Sequence, residues 1–467
     1  MVLERKTGFE PVTLSWQDLP VRWAVLDSED IGMADRTLKV GFIGCGRISR
    51  ALYTDVYTGL CDVAQVVAVA DVVPELAQSR AAAMSEGYQA EAHRQQALAH
   101  NARSEADRQR ALEAAADAAA AASNTIRVYE NHERLLADDE VEAVVVLTAP
   151  PVRGVPAVAA AQSGRHVFTE GPMAKSVKEA DEIVTAVEAA GVKYLSQCGG
   201  RYTRGMEHAR RALASGLLGP LAKASVAVTW YHPASYWGEH GWPGRFETDG
   251  GGVVLHHGRY VIDPFLSVTN APIVEVASSY SGPFLRDIEV DSYSLALVRY
   301  ADGAVGTVEA SLLHHEHPNW TTLGGGRMEF IGENASMLLL HRHPQPNVPA
   351  LLMGTRHSMT ESTVTFGSSN TPGVVEQLEA LADDLGDLSE SPSQLDQSRL
   401  WVTASLEDKP LPVPISVPRA HVELSRAIYK SQEIGASVAL PLDTNDPYYT
   451  FEGRLSRPSW MPVEPSE

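Results

Sequence analysis

A glycine-rich loop near the start of the chain is the first stretch whose residues could do chemistry. The sequence GFIGCGRIS places Gly44, Gly46 and Ser49 at the three spaced positions of a G-x-G-x-x-(G/A/S) loop. Gly44 permits a tight turn, Gly46 lets backbone amides approach a pyrophosphate, and the small Ser49 keeps helix and sheet close. Arg47 and Ile48 lie inside the same loop, so we expect them to contact the same ligand. The loop therefore predicts a dinucleotide-binding site.

An acidic residue follows the second predicted strand. Asp71 comes directly after the apolar run at residues 63–70, where its carboxylate could accept hydrogen bonds from the hydroxyls of an adenosine ribose. The same negative charge would repel a ribose phosphate, so the sequence favours NAD over NADP as cofactor. The alternative is that the glycines form only a structural turn and that Asp71 only caps a helix.

The elements that must position these residues alternate between strand-like and helix-like blocks, which is typical of a parallel sheet with crossover helices. Apolar runs that suit strands covered on both faces lie at residues 38–43, 63–70, 141–147 and 165–169. Short helices are predicted at residues 131–136 and 155–163. Residues 75–123 are Ala-rich and contain no proline, which predicts one long helix or a helical hairpin. We expect this insertion to be a solvated arm or an oligomer contact rather than a catalytic element.

From about residue 220 the pattern changes to strands of period two joined by tight turns, which is typical of an antiparallel sheet. Strands are predicted at residues 222–230, 273–280, 291–300, 304–311 and 327–340, and helices at residues 374–385 and 419–432. The sequence therefore predicts an α/β fold with an N-terminal Rossmann dinucleotide-binding domain at residues 37–172. A C-terminal α+β domain with an open, mainly antiparallel sheet at residues 173–467 would serve substrate binding and oligomerisation. Residues 1–36 form an N-terminal extension, which is not native if translation starts at Met33.

The composition narrows the class of partner. The 467 residues carry a formal net charge of -21, which would repel the phosphates of nucleic acid and an anionic membrane surface. The three cysteines, Cys45, Cys61 and Cys198, have neither metal-site spacing nor an even count. No apolar run approaches about 18 residues, and the first residues lack the layout of a secretory signal. We therefore expect a cytoplasmic protein with a small-molecule ligand, without nucleic acid or membrane as partner.

Several further blocks resemble the Gfo/Idh/MocA family of sugar and cyclitol dehydrogenases, and the likeness runs from about Leu38 to Leu440. They are TAPPVR at residues 148–153, similar to T-P-x-x-x-H; EGPMA at residues 170–174, similar to E-K-P-x-A; and GGGVVLHHGRYVID at residues 250–263. The resemblance implies a nicotinamide site in the first domain, a sugar or polyol site over the sheet of the second, and dimers or tetramers through the outer face of that sheet. Its cofactor contacts correspond here to Thr148, Pro150, Arg153, Glu170 and Pro172.

This sequence departs from the family at the residues that transfer the proton in typical members. The lysine of E-K-P is replaced by Gly171, and the aspartate and histidine of the D-x-G-x-H block by His256 and Tyr260. A histidine, with an ordinary pKa of about 6.5, could accept a proton at neutral pH, whereas a tyrosine, with about 10, would need a nearby cation or hydrogen-bond donors. We predict His256 as the base and Tyr260 as its partner; the alternative is that both only fill space. His257 and Arg259 would point away from the site if this segment is helical.

An aromatic segment at residues 230–246 precedes the glycine run. Sugar rings are apolar on their faces and polar at their rims, so aromatic plates with arginine and histidine side chains beside them suit a sugar. Candidate substrate contacts are Tyr231, His232, Trp237, Trp242 and Arg245 in this segment and Arg201 upstream. The alternative is that these side chains only pack the loop.

The cluster LLHHEH, with His314, His315, Glu316 and His317, suggests a metal site at first sight. Neighbouring residues of a strand point to opposite faces, so only alternate members of this cluster could share a metal. Because no third ligand is evident, the sequence predicts no metal, and one of these histidines could instead reach the substrate.

Three functions fit the sequence and its resemblance. The first is an NAD-dependent oxidoreductase that oxidises a hydroxyl of a sugar, sugar derivative or cyclitol by hydride transfer. The second is a redox glycosidase that oxidises a ring hydroxyl, eliminates the aglycone and returns the hydride, chemistry that needs a second proton-transfer site. The third is a non-catalytic NAD- or sugar-binding regulator, because the family lysine is missing.

Overall fold

The computed structural model describes residues 36–239, 244–314, 325–342, 361–386, 392–457 and 461. Within these ranges the chain forms one six-stranded sheet and one eight-stranded sheet, with helices packed against both. The predicted combination of a Rossmann domain with a second, mainly antiparallel sheet is confirmed.

The first sheet is parallel and has the strand order β3-β2-β1-β4-β5-β6. Its strands are β1 (Leu38–Ile43), β2 (Ala64–Ala70), β3 (Arg127–Tyr129), β4 (Ala143–Val146), β5 (His166–Thr169) and β6 (Tyr194–Ser196). Strands β2 and β4 are buried at every residue, as expected of strands covered by helices on both faces. The strand order reverses between β1 and β4, and ligands of such sheets bind at the carboxyl ends of the strands at this point.

The parallel sheet continues past residue 172, the boundary expected from the sequence. Strand β6 pairs with β5 in parallel, and α6 (Val177–Ala190) connects the two strands. The predicted boundary is therefore too early for the sheet. Strand β6 is only three residues long, so it leaves no apolar run that sequence reasoning could recognise.

The predicted insertion forms a helical hairpin of α2 (Pro74–His100) and α3 (Glu105–Ser123). Met84 and Tyr88 of α2 are completely buried, and the Tyr88 hydroxyl accepts a hydrogen bond of 2.9 Å from the Val66 amide in β2. The buried residues of α3 are four alanines at helical spacing, Ala111, Ala115, Ala118 and Ala121. The hairpin is therefore anchored in the core of the first domain by residues of both helices, and the expectation of a solvated arm is wrong for these buried positions. The alternative of an oligomer contact stays a prediction.

The remaining helices of the first domain follow the strands of its sheet. They are α1 (Thr54–Thr58), which continues a π-helical turn at Ser49–Tyr53, α4 (His132–Leu136) and α5 (Pro150–Gln162). Ser49 is completely buried where the glycine loop enters this turn, which agrees with its expected role in bringing helix and sheet close.

The second sheet has the order β13-β12-β11-β7-β10-β9-β8-β14. Its strands are β7 (Leu221–Thr229), β8 (Ile273–Gly282), β9 (Tyr293–Tyr300), β10 (Val305–Ser311), β11 (Gly325–Gly332), β12 (Ser336–Arg342), β13 (Glu361–Gly367) and β14 (Val438–Ala439). Strands β7 and β10 are parallel, and the other paired neighbours are antiparallel. The single strand predicted at residues 327–340 is wrong, because β11 and β12 form a hairpin there. Gly332 and Asn334 were the turn signal that the alternating pattern concealed.

The helices after the first sheet are α7 (Arg204–Ala214), α8 (Ser235–Glu239), α9 (Phe246–Asp249), α10 (Ile262–Val268), α11 (Val374–Ala380), α12 (Gln394–Leu406) and α13 (Ser416–Ile434). Of these, α7, α10, α11 and α13 pack on strands of the second sheet. The sheet register places Tyr280, Leu297 and Val305 together on one face. All three side chains are at least half exposed in the single chain, and the Arg299–Glu275 ion pair lies on the same face.

Helix α12 returns from the second domain to the first. Trp401 is completely buried, and its ring lies 5.6 Å from that of Phe168 in β5. At the surface, Arg399 forms two hydrogen bonds with Asp62, of 2.5 and 3.0 Å. The core of the nucleotide domain therefore includes a helix from the last quarter of the chain.

Candidate active site

The glycine loop has the geometry that a bound diphosphate requires. Gly44 has a φ of +94°, and a Cβ at this position would lie 2.9 Å from the backbone nitrogen of Thr148. At Gly46, by contrast, an added Cβ would meet no atom within 4 Å. The first glycine is therefore required by the turn, and the second faces open space, where a ligand can approach the backbone.

The Asp71 carboxylate is fixed at the carboxyl end of β2. Its Oδ2 accepts a hydrogen bond of 2.7 Å from the Cys45 amide, and its Oδ1 accepts one of 2.9 Å from the Val73 amide. These bonds join the glycine loop to the strand end where a ribose would lie. Beside them Arg47 is exposed and Ile48 is half-buried.

The residues that follow β4 also fit a dinucleotide. The Thr148 hydroxyl is buried and has no hydrogen-bond partner within the protein. A buried polar group normally has a partner, so a bound ligand could supply the missing bond. Pro150 is buried at the start of α5. Together with the open space at Gly46, this unpartnered hydroxyl shows that the loop can accommodate NAD.

Arg153 occupies a different position from the one expected of a cofactor contact. Its guanidinium is buried, donating to the Pro172 carbonyl at 2.7 Å and to the Thr148 carbonyl at 2.8 Å. Burial lowers the pKa of Arg153 to about 10. Arg153 therefore links the loops that follow β4 and β5. Its side chain was expected to contact the cofactor, whereas here it positions the loops on which other candidate cofactor contacts lie.

Glu170 is the centre of a buried polar network. It accepts a hydrogen bond of 2.6 Å from the Tyr53 hydroxyl, and its other oxygen lies 3.5 Å from Arg259 Nη2. Gln394 of α12 donates to the Tyr53 hydroxyl at 3.1 Å. The network thus joins the helix after the glycine loop, the end of β5 and the second domain.

The predicted base, His256, is paired with a carboxylate. Its Nδ1 lies 2.7 Å from Oδ1 of Asp249, a buried residue at the end of α9. Because an ionised carboxylate can only accept, Nδ1 carries the proton and Nε2 is left as the basic nitrogen. The pair has the arrangement of a histidine base oriented by an acid.

The segment that carries His256 is not a regular α-helix. It consists of a π-helical turn at Val253–His257 and a 3-10 turn at Gly258–Tyr260. Buried Asp291 holds its start, accepting bonds of 2.9 Å from the amides of Gly252 and Val254 and one of 2.6 Å from the Tyr429 hydroxyl. Burial raises the pKa of Asp291 to about 6.

Tyr260 and Arg259 form a second pair in this segment. Arg259 donates a hydrogen bond from Nη2 to the Tyr260 hydroxyl, and its guanidinium carbon lies 4.1 Å from the centre of the Tyr260 ring. Burial raises the pKa of Tyr260, and the Arg259 charge opposes that rise. The expectation that Arg259 points away from the site is wrong, because it assumed regular helical geometry.

Aromatic rings surround the two pairs. The Trp230 ring lies 5.4 Å from that of Tyr260 and 5.9 Å from that of His257. His232 stacks on Tyr236 with ring centres 4.1 Å apart. His257 is buried among these rings, and burial lowers its pKa well below the ordinary value, so it is neutral at pH 7. We call the rings of Trp230, His232, Tyr236 and His257 the aromatic wall.

The predicted substrate contacts have different outcomes. His232 is in the aromatic wall, and Trp237 is next to it, 5.3 Å from Tyr236. Tyr231 is half-buried and forms a β-bridge with Leu313, while Arg245 is exposed. Trp242 lies outside the described residues.

Arg201 is not available as a substrate contact. Its guanidinium forms a buried two-bond pair with Asp263 and also donates to the Ser196 carbonyl at 2.9 Å. The neighbouring Asp263 outweighs the effect of burial and raises the pKa of Arg201. Its assignment to the substrate is therefore wrong, and the residue is corrected to a structural link between β6 and α10.

Among the described residues, no group of three or more histidine, cysteine, aspartate or glutamate side chains is arranged to hold a metal ion. His314 is half-buried, and its amide donates to the Trp230 carbonyl at 3.0 Å. His315, Glu316 and His317 lie outside the described residues.

A glycine loop at the switch point of a parallel sheet and an acid at the end of β2 are the features of a dinucleotide-binding Rossmann domain, joined here to a second, mainly antiparallel sheet. The family model for the Gfo/Idh/MocA oxidoreductases with an NAD-binding Rossmann fold matches residues 38–197, and that for the Gfo/Idh/MocA C-terminal domain matches residues 206–338. The chain belongs to the Gfo/Idh/MocA family. The expected resemblance is thereby confirmed.

Curated relatives match parts of the chain. A 1,5-anhydro-D-fructose reductase of Ensifer adhaerens is 30% identical over 174 residues, which are 37% of this chain and 51% of that protein. A 2,7-anhydro-N-acetylneuraminate hydratase of Mediterraneibacter gnavus is 30% identical over 87 residues, 19% of this chain and 23% of that protein. The chain thus spans about half, or less, of the length of these relatives.

Solved structures share the fold over most of the chain. The WlbA dehydrogenase from Bordetella pertussis, in complex with NADH and UDP-GlcNAcA, has a TM-score of 0.60 at 21% identity, covering 87% of this chain and 100% of that one. Within the described residues, no helix has both the length and the apolar character needed to cross a membrane.

Proposed function

We propose that the chain is an NAD-dependent dehydrogenase that oxidises a hydroxyl of a sugar, sugar derivative or cyclitol. The observation that carries the proposal is the His256–Asp249 pair, a base of fixed tautomer in the domain that faces the dinucleotide loop. When bound, NAD supplies the acceptor for the hydride. Gly44, Gly46, Asp71 and Thr148 would hold it, with contacts from Arg47, Ile48, Pro150 and Pro172.

The protein side of the reaction is a proton transfer. Nε2 of His256 takes the hydroxyl proton while the C–H electron pair leaves the same carbinol carbon as hydride, so the substrate becomes a carbonyl compound. Asp249 stabilises the imidazolium that forms. The hydroxyl of Tyr260, which stays protonated at neutral pH because burial raises its pKa, can donate a hydrogen bond to the reacting oxygen.

The aromatic wall supports a substrate with a ring that is apolar on its faces. Trp230, His232 and Tyr236 offer flat surfaces beside the proton-transfer pairs. The names of the relatives point the same way, because the reductase acts on an anhydro sugar and the WlbA structure contains a nucleotide sugar.

The test is NADH formation by the purified chain with a panel of free sugars, sugar acids and cyclitols. The proposal expects steady turnover with at least one member, and a drop of about a hundredfold or more in H256A with NAD affinity retained. An H100A variant, changed at an exposed position in the last turn of α2, is the matched control. Tight NAD binding without turnover on any member would instead support the non-catalytic regulator.

A second candidate is the redox glycosidase, favoured by the presence of two separate proton-transfer groups. Oxidation of a ring hydroxyl makes the proton on the adjacent carbon acidic, and a base removes it as the aglycone leaves with the electrons of its bond and takes up a proton. His256, after passing its first proton to solvent, could act as this base, and the protonated Tyr260 could supply the proton to the aglycone. Addition of water and return of the hydride to the carbonyl would complete the cycle, and one curated relative is named as a hydratase of an anhydro sugar. Release of aglycone from a chromogenic glycoside with only catalytic NAD would support this function over the dehydrogenase.

We further propose that the active form is a homodimer or tetramer and that the setting is cytoplasmic. The exposed Tyr280, Leu297 and Val305 on one face of the second sheet support the assembly. Three free, buried thiols, Cys45, Cys61 and Cys198, support a reducing compartment. Fractionation of the native host, with detection of the chain by antibody, tests the location.

A further inference from the structure

The backbone of Gly171 borders a space that another residue fills. A Cβ at Gly171 would lie 2.4 Å from Cδ and 2.7 Å from Nε of Arg259. Both distances are too short for atoms that are not bonded to each other. The third near atom, the carbonyl oxygen of Gln197, is 3.0 Å away. The side chain of Arg259 therefore occupies the volume that a side chain at position 171 would need.

From this position Arg259 reaches three polar groups of the site. Nη1 donates to the His256 carbonyl at 2.6 Å, Nη2 donates to the Tyr260 hydroxyl, and Nη2 also lies 3.5 Å from Glu170. Only 6% of the residue is exposed, and its Nε has no partner. A buried cation is thus held between the end of β5 in the first domain and the segment Val253–Tyr260 in the second, which we call the proton-transfer turn.

We propose that Arg259 is the positioning cation of the proton-transfer site, entering from the second domain over Gly171 and acting through the Tyr260 hydroxyl. The proposal deepens the dehydrogenase function and rests on it for its kinetic part. Nη2 donates to the phenol oxygen, so the phenol proton is left to face the substrate oxygen, and the adjacent positive charge strengthens that donation. Arg259 can occupy this position only because residue 171 has no side chain.

Several titratable groups act on Tyr260 from the surrounding elements. Arg259 on its own turn and Arg153 in α5 favour the phenolate, while Glu170 after β5 and Cys198 after β6 disfavour it. Tyr53 and Tyr236 are the neighbouring phenols. Arg259 is the larger of the two cationic influences, so its removal should raise the pKa of Tyr260.

The first experiment tests the shared volume in the chain without cofactor or substrate. G171A, R259A and the double variant are compared by thermal unfolding. We expect G171A to lower the Tm by about 3 to 6 °C in the native background and by no more than about 1 °C in the R259A background. Equal losses in both backgrounds would show that Arg259 does not fill this space, and the proposal would fail.

The second experiment tests the action through Tyr260, using R259Q, R259K, Y260F and R259Q/Y260F, with exposed R110Q of α3 as the control. R259Q should lower kcat about 10- to 100-fold with KM for NAD changed less than about threefold, and R259K should recover part of the loss. In the Y260F background, R259Q should lower kcat by less than about twofold. An equal loss in both backgrounds would overturn the proposal.

Failure of the proposed function can be told apart from failure of this inference. If no substrate supports turnover, the ionisation of Tyr260 can still be followed by its tyrosinate absorbance in a pH titration. The absorbance of Y260F is subtracted from that of the native chain, and the absorbance of R259Q/Y260F from that of R259Q. The inference expects this ionisation at higher pH in R259Q than in the native chain. An unchanged ionisation would refute the inference whether or not the chain is a dehydrogenase.

Discussion

At the scale of single residues, the Asp249 carboxylate determines which nitrogen of His256 can act as a base. Its bond to Nδ1 fixes one tautomer, so the imidazole does not need to reorganise when it takes a proton. This carboxylate comes from the short helix α9, directly before the glycine run, rather than from the motif that carries the histidine.

We expect D249N to reduce kcat about 100-fold or more, because an amide can present its NH₂ group to Nδ1 and so favour the wrong tautomer. Affinity for NAD should change little, since Asp249 has no contact with the glycine loop. Turnover and calorimetric NAD binding measure the two effects. A D249N chain as active as the native one would remove the pair from the mechanism.

We expect D71S to weaken NAD binding by tenfold or more and to narrow the preference for NAD over NADP. The substitution removes the charge that repels a ribose phosphate and two acceptors that orient the ribose end of the site. Calorimetry with both dinucleotides gives the ratio of the affinities for NAD and NADP. If this ratio is the same in D71S as in the native chain, another residue selects the cofactor.

Gly44, Gly46 and Asp71 could be selected from their types and spacing, because a glycine loop after one strand and an acid after the next have a direct chemical meaning. His256 and Tyr260 were selected as the motif positions of the family resemblance, and their roles stay predictions. Sequence reasoning missed Asp249 and Asp291 because their roles depend on contacts made after folding; Asp291 bonds the Gly252 amide from 39 positions away. Arg201 was misjudged because its partner, Asp263, lies 62 positions away. No local pattern reports such pairings.

At the scale of elements, the proton-transfer turn depends on how its first residues are held. A Cβ at Gly252 would lie 2.0 Å from the Asp291 carbonyl oxygen, so the segment packs directly on the backbone before β9. The Asp291 carboxylate also accepts hydrogen bonds from the amides of Gly252 and Val254 and from the Tyr429 hydroxyl of α13. The π-helical and 3-10 turns could not be predicted from periodicity, which distinguishes only regular helices from strands.

We expect D291N to lower the free energy of unfolding by about 1 to 3 kcal/mol, because the amide NH₂ would face the Val254 N–H or the Gly252 N–H. The native chain should gain stability relative to D291N as the pH falls from about 6 to about 4. Over this range the folded carboxyl, with a pKa of about 6, takes up a proton that the unfolded one does not. Urea titrations at the two pH values measure the difference.

D139N, at an exposed position, is the matched control and should leave the unfolding free energy unchanged. A difference between native chain and D291N that does not vary with pH would show that the carboxyl is not protonated in this range.

At the scale of the whole molecule, two surfaces are candidates for the self-association proposed above. One is the face of the second sheet where Tyr280, Leu297 and Val305 are exposed; the other is the helical hairpin, where Leu98 and Leu112 are exposed. We favour the sheet face, because its three exposed apolar residues lie on neighbouring strands.

We expect L297E to convert the oligomer to a monomer and L112E to leave it intact, because a charge cannot be buried in an apolar interface without a partner. Light scattering on the eluted protein gives the mass of each variant. The reverse result would assign the interface to the hairpin.

Helix α12 also determines the order in which the chain can mature during synthesis. The ribosome releases residues 38–197 well before residues 394–406, with a delay of about 10 to 40 s at ordinary translation rates. Throughout this delay the nascent nucleotide domain lacks Trp401, and Phe168 keeps the ring of Tyr53 but not that of Trp401 as a neighbour. We therefore expect a circular permutant that starts at α12 to complete the core of this domain earlier in synthesis.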